Sequence, residues 1–124
     1  MRRGLGQEDK LHKKFGALMK RYSSLNQLNS VWYSYDASGE NRDLGTGALL
    51  KAKGLRPGKS DYEFKIVNNS IAEHIYIEFK TEKGKQSDSQ KAFEETCYAS
   101  NEHYYIARSV PQALEILTKH KIIK

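Results

Sequence analysis

Two stretches of this chain alternate apolar and polar residues with a period of two. Across Asp61–Val67, Tyr62, Phe64 and Ile66 alternate with Asp61, Glu63 and Lys65. Across Glu73–Lys80, Ile75, Ile77 and Phe79 alternate with Tyr76, Glu78 and Lys80. Half-buried strands carry this period. The polar Asn68-Asn69-Ser70 between them reads as a turn, so the two runs are expected to pair as a hairpin. A centre between Asn69 and Ser70 sets Tyr62 against Ile77 and Phe64 against Ile75. Both apolar sets then share one face, an agreement that a slip of one residue would break. The same register sets Asp61 opposite Glu78, with Cβ atoms roughly 4.5–5.5 Å apart. Lys80, two residues beyond Glu78, projects to the same side.

The remaining pattern supplies helices and further strands. Leu11, Phe15, Leu18, Met19, Tyr22 and Leu25 recur at helical spacing, which predicts an amphipathic helix over about 8–25. Ser30–Ala37, with Val31, Trp32, Tyr33 and Tyr35, reads as a first strand. Ser38–Gly47 is a polar, glycine-containing loop, and Thr46 is placed to cap a helical turn running to Lys53. Pro57-Gly58 breaks the approach to the hairpin, and Gly84 ends its second strand. Ser87 followed by Gln90 makes a capping box for a helix over about Asp88–Ser100. His103–Arg108 reads as a fourth strand. Ser109, with Pro111 in the first turn, opens a last helix carrying Ala113, Leu114 and Leu117. The order α-β-β-β-α-β-α predicts an α/β fold, one sheet flanked by helices.

Length and charge narrow the function. The 124 residues suit a single domain spanning 1–124. Lysine and arginine number 21 against 15 aspartates and glutamates, a net charge of +6. Residues 1–60 hold 12 of those basic groups and 5 of the acidic ones. The surplus therefore lies in the first half, while Asp61 and Glu78 open the second. A basic surface beside an acidic pocket suits a polyanion such as nucleic acid. No apolar run reaches membrane-spanning length, and the basic start leads into charged residues instead of a signal core, so no membrane partner is expected. A single cysteine, Cys97, makes no internal disulfide, which favours a reducing cytoplasm.

The candidate chemistry centres on Asp61, Glu78 and Lys80. Two opposed carboxylates repel unless a positive group sits between them. A divalent metal answers that need, since Mg²⁺ favours one or two carboxylates together with water and phosphate oxygens. A neighbouring lysine can orient an attacking hydroxide or stabilise charge developing on phosphorus. The alternative is a solvated hairpin face with a Glu–Lys cluster. His12, His74, His103 and His120 show no paired metal-ligand spacing in sequence and are read as structural or surface residues. Cys97 lies on a helix with Phe93 and is read as packing. Gly45-Thr46-Gly47 lacks the ending of a P-loop. Trp32, Tyr33 and Tyr35 are aromatic enough to stack on bases, but strand alternation assigns at least half of them to the core.

Taken together, these motifs resemble the VRR-NUC branch of the PD-(D/E)XK nuclease superfamily. A G-x-x-P-G-x-P-D approach is matched by Gly54-Leu55-Arg56-Pro57-Gly58-Lys59-Ser60-Asp61, and an E-x-K strand by Glu78-Phe79-Lys80. A K-G-r-x-S-x-x-Q segment is matched by Lys83-Gly84-Lys85-Gln86-Ser87-Asp88-Ser89-Gln90, and a late strand and helix by Tyr105-Ile106-Ala107-Arg108-Ser109 onward. Gly39-Glu40-Asn41-Arg42, with Gly47, Lys51 and Gly54, is similar to the family's upstream approach. Ser60 departs from the pattern by standing where the family usually has proline. The resemblance implies a restriction-endonuclease-like fold, a mixed sheet flanked by helices, and hydrolysis of DNA phosphodiesters dependent on Mg²⁺ or Mn²⁺. It implies that Asp61 and Glu78 bind the metal with the Phe79 carbonyl, and that Lys80 serves the nucleophile. Glu8 is the candidate for a first-helix metal ligand, or else only a helix-start acid. Gln90 is a candidate support for the site, or else only a cap. Arg42, Lys51, Lys59 and Lys85 are candidate phosphate contacts. Stand-alone members of the branch resemble homodimeric Holliday-junction resolvases, so branched DNA is the expected substrate. A restriction-type or flap nuclease and a catalytically silent DNA-binding module are the alternatives.

Overall fold

The computed structural model of the chain describes residues 6–29, 31–35, 60–68 and 70–124. They form α1 (Gln7–Ser24), β1 (Val31–Tyr35), β2 (Tyr62–Asn68), β3 (Ile71–Phe79), α2 (Asp88–Ala99), β4 (His103–Ala107) and α3 (Val110–Lys119), the predicted order. The expected loop at 38–47 and helical turn at 46–53 lie outside the described residues, as do Arg42, Lys51 and Lys59.

The strands lie side by side as β1-β2-β3-β4. The first three pair antiparallel and β4 runs parallel to β3, so the sheet is mixed. Parallel neighbours need a crossover, and α2 provides it. The hairpin takes the expected register, Tyr62 opposite Ile77 and Phe64 opposite Ile75. Asn68 pairs with Ile71, and Ser70 at the turn takes a φ of 65°, a left-handed backbone common in tight hairpin turns.

Each face of the sheet buries its own cluster. On one, Phe15 and Met19 of α1 and Ala113 and Leu117 of α3 pack on Tyr62, Phe64, Ile75, Ile77 and Phe79. Each such apolar side chain removed from water is worth about 1.5–3 kcal/mol. On the other, Cys97 of α2 packs with Tyr76 and Tyr104, with Phe93 and Ile106 alongside. Burial pushes the Cys97 thiol up to about 11, as suits a packing residue. Leu25 departs from the predicted stripe: it caps α1 and is 55% exposed, because the helix stops one residue short of it. Tyr33 stacks on Phe64 at 5.9 Å and Tyr35 packs on Tyr62, whereas Trp32 faces outward with Lys65 over its ring. No helix among the described residues is long and apolar enough to cross a membrane.

Ser60 fixes how the chain enters β2. It is fully buried, and its hydroxyl donates to the Tyr62 carbonyl at 3.1 Å, fixing the bend in which Asp61 sits. Ser60→Ala should therefore cost about 1 kcal/mol of stability and, on the expectation that Asp61 ligates a metal, reduce any stabilisation by Mg²⁺ by loosening Asp61. Thermal melts with and without Mg²⁺ check this. An unchanged metal response would mean that the bond has no part in placing Asp61.

Candidate metal centre

The centre lies where β2 begins and β3 ends. Asp61 accepts a 2.7 Å hydrogen bond from the Phe79 N–H, which closes the mouth of the hairpin. The next N–H, that of Lys80, turns the other way and donates to the Ala107 carbonyl of β4 at 3.1 Å. In extended chain a residue's N–H and C=O point to the same edge. The Phe79 carbonyl is thus directed toward the Asp61 side, where the resemblance calls for a ligand.

Glu78 is 1% exposed, an unusual place for a carboxyl group. Gln90 on α2 reaches it, donating from Nε2 to Oε1 at 3.1 Å. The same glutamine completes the capping box: its Oε1 accepts from the Ser87 N–H at 2.8 Å, and its N–H donates to Ser87 Oγ at 3.2 Å. The two readings of Gln90 are therefore one device. Because the cap consumes Oε1, Nε2 is left to face Glu78.

From the other side α1 contributes Glu8 and His12, one turn apart on the same helix face. His12 Nε2 lies 3.2 Å from Asp61 Oδ2 and 4.0 Å from Glu8 Oε1. Glu8, His12 and Asp61 bring their donor atoms within 4.8 Å of one another. His12 corrects the sequence reading, which set all four histidines outside the site. The missed signal was the Glu8–His12 spacing of four, which puts a carboxylate and an imidazole side by side on a helix. The contact to Asp61 is an ion pair, and Nε2 is buried with no other polar partner within hydrogen-bond geometry among the described residues. Tyr62 locks α1 over this end of the sheet, donating its hydroxyl to the His12 carbonyl at 3.4 Å. Burial and the Asp61 charge hold that phenol up to about 12, so it stays a donor.

Lys80 is half-buried beside the pair, and its charge is felt by both Glu8 and Glu78. The turn after it is held by Arg108, whose guanidinium donates to the carbonyls of Thr81 at 2.7 Å, Glu82 at 3.2 Å and Gly84 at 2.8 Å. Gly84 packs closely in this turn, so a larger residue would need its neighbours to shift by a few tenths of an ångström. A Cβ there would meet Thr81 Oγ1 at 3.1 Å and Lys80 Cβ at 3.4 Å. Lys85, next in the chain, is exposed on the same segment.

The carboxyls do not share their protons evenly. Burial drives Glu78 far above the ordinary carboxylate range, Asp61 adds to it, and Lys80 only partly opposes it. Burial would also raise Asp61, but His12, the Glu78 proton and the Phe79 N–H outweigh it and hold Asp61 low. His12 is depressed by burial and raised more strongly by Asp61 and Glu8. Glu8 is raised by its partial burial, with Lys80 opposing. Two carboxyls pressed together so that one keeps its proton is an arrangement a dication can replace.

The donor set fits such an ion. Glu8, Asp61 and Glu78 offer carboxylate oxygens and Phe79 a carbonyl, the hard donors that Mg²⁺ and Mn²⁺ favour. The His12 imidazole tilts the set toward Mn²⁺, which takes nitrogen more readily than Mg²⁺ does. Comparison with protein-family models, with curated proteins and with solved structures finds no match to this chain.

Proposed function

We propose that the chain is a metal-dependent DNA endonuclease of the VRR-NUC type, with a restriction-endonuclease-like fold. The observation that carries the reading is the meeting of Asp61, Glu78 and Lys80 at one end of the sheet, with Glu8 brought to them by α1. When bound, Mg²⁺ or Mn²⁺ supplies Lewis-acid polarisation of the scissile phosphate and lowers the pKa of the attacking water. Asp61, Glu78, Glu8, His12 and the Phe79 carbonyl would hold it. Gln90 keeps the Glu78 carboxyl turned toward the site. Lys80 orients the nucleophile and stabilises the charge that builds on the phosphate as the bond to the leaving oxygen breaks. Lys85 stands at the rim as a phosphate contact. Trp32, 54% exposed with Lys65 beside it, offers an aromatic and basic patch on the sheet for nucleic acid.

Branched DNA is the proposed substrate and a homodimer the proposed form. The described residues of one chain offer one such site, and symmetric cutting of a four-way junction needs two sites related by a two-fold axis. The expected result is a dimer in solution, paired nicks in a four-way junction, and slower cutting of linear duplex. Cleavage of matched linear, flapped and four-way-junction DNA with Mg²⁺, Mn²⁺, Ca²⁺ or EDTA, together with light scattering, tests this. Binding should fall steeply with salt, as several neutralised phosphates release their counterions. A monomer that cuts linear duplex as fast as junctions would overturn the resolvase reading and leave the nuclease. Binding without cleavage in any metal would leave only a DNA-binding module.

A further inference from the structure

At the opposite end of β3 a second group of ligating side chains converges. Glu73 and Glu78 are separated by five residues of strand, roughly 16 Å, so this group is distinct from the centre above. The parallel register sets His103 beside Ile75, and Glu73 lies two residues before Ile75 on the same face. The last helix then returns its C-cap residue, His120, over that corner. The donor atoms of Glu73, His103 and His120 lie within 4.8 Å of one another, and the two imidazole rings are 4.5 Å apart. Nothing in the nuclease reading uses them.

We propose that Glu73, His103 and His120 bind a late first-row divalent ion, Zn²⁺ foremost, as a clamp between the sheet and the last helix.

Two imidazoles and one carboxylate form a donor set suited to Zn²⁺, with a fourth position left to water. The spacing is near what the ion needs. Donors about 2.1 Å from a tetrahedral centre stand about 3.4 Å apart, and His120 Nδ1 stands 3.8 Å from Glu73 Oε2. The outer contact is also in place. Tyr105 Oη lies 2.6 Å from His120 Nε2. A ligating histidine usually donates its other ring N–H to such a partner, which fixes the ring and turns the free lone pair toward the metal. With Nε2 bonded to Tyr105, Nδ1 is the ligating atom. His120 is 8% exposed, so it is held in the fold, while Glu73 and His103 are open enough to admit an ion. The clamp joins the starts of β3 and β4 to the end of α3. The chain beyond α3 buries Ile122 and bridges Ile123 to Leu28, next to α1.

Because the Glu8–His12–Asp61 group also attracts Zn²⁺, the test uses tag-free full-length protein carrying Glu8→Gln and Asp61→Asn. After loading with Zn²⁺ and desalting, this protein should retain one zinc per chain, and its melting temperature should rise by roughly 5–10 °C at a hundredfold excess over Kd. Co²⁺ in its place should give the intense visible bands of a four-coordinate site. Adding Glu73→Gln or His103→Gln should abolish the retained metal, the bands and the thermal shift together. Both positions are solvent-accessible, so these variants keep the buried His120–Tyr105 pair and should fold. Failure of the parent variant to retain zinc, or retention unchanged by either added substitution, overturns the site. Retention with no thermal shift overturns the clamp.

Discussion

Glu78→Gln is expected to abolish cleavage and yet to raise the melting temperature of the metal-free protein near pH 8. Asp61→Asn is expected to abolish cleavage and to lower it. The loss of activity is common to both, roughly 10³-fold or more, because each change removes a carboxylate from the proposed metal-binding set at nearly constant shape. On the proposed nuclease reading DNA affinity should survive, since it would come from the lysine and arginine surplus and not from these carboxyls. The opposite stability effects follow from the protons. The folded Glu78 holds its proton to a pH far above the unfolded value of 4.5. As pH climbs above 4.5 the unfolded chain therefore binds fewer protons than the folded one, and stability falls. Glutamine mimics the protonated acid and removes that loss, a gain on the order of 1 kcal/mol or about 4 °C. Asp61 has the other sign. Its folded value lies below 3.8, so its contribution is complete above 3.8 and is lost as pH falls through the folded value. The neutral amide of Asp61→Asn would also be a weaker acceptor for the Phe79 N–H. His12, raised above 6.5, adds stability that is lost as pH rises through its folded value, so some slope should persist in Glu78→Gln. Thermal melts from pH 5 to 9, beside a cleavage assay, measure both effects. Cleavage at near wild-type rate by either variant removes the site assignment. A lower melting temperature for Glu78→Gln would mean that the buried carboxyl is ionised and paired.

What the sequence made legible was local or periodic. The hairpin register followed from two alternating runs with one shared centre, and Ser70 at the turn obeyed it. The caps at Ser87 and Ser109 were readable because a cap and its helix start sit within three residues of each other. The carboxylate pair was legible for the same reason as the register, since Asp61 and Glu78 continue it by one step. The rest depended on contacts distant along the chain. His12 meets Asp61 only because Phe15 and Met19 bury α1 against the sheet, and no spacing within α1 states which strand end it will cross. Gln90 offered two readings because capping is local and its reach to Glu78 is tertiary. The His103–His120 pairing needs the parallel β3–β4 register and the length of α3 together.

Lys80 is the residue on which turnover is expected to depend without a matching dependence of binding. Its backbone is fixed by the Ala107 carbonyl, and the turn beyond it by three hydrogen bonds from Arg108. Its ammonium therefore stands on a rigid strand end, beside a carboxyl pair whose protons it biases. Placed there, on the proposed nuclease reading, a cation would act on charge that develops during phosphodiester cleavage more than on charge already present in bound DNA. Lys80→Ala should lower the single-turnover rate by roughly 10²–10³, with DNA affinity little changed. Metal affinity should hold or tighten, since a positive neighbour of the carboxylates has gone. Lys80→Arg should restore only part of the rate, because the planar guanidinium is larger and delivers its charge in a fixed fork. Single-turnover kinetics on a junction, with metal titrated by calorimetry, separate the three quantities. Weakened DNA binding with an unchanged single-turnover rate would make Lys80 a phosphate anchor, and the catalytic cation would then have to come from elsewhere in the chain.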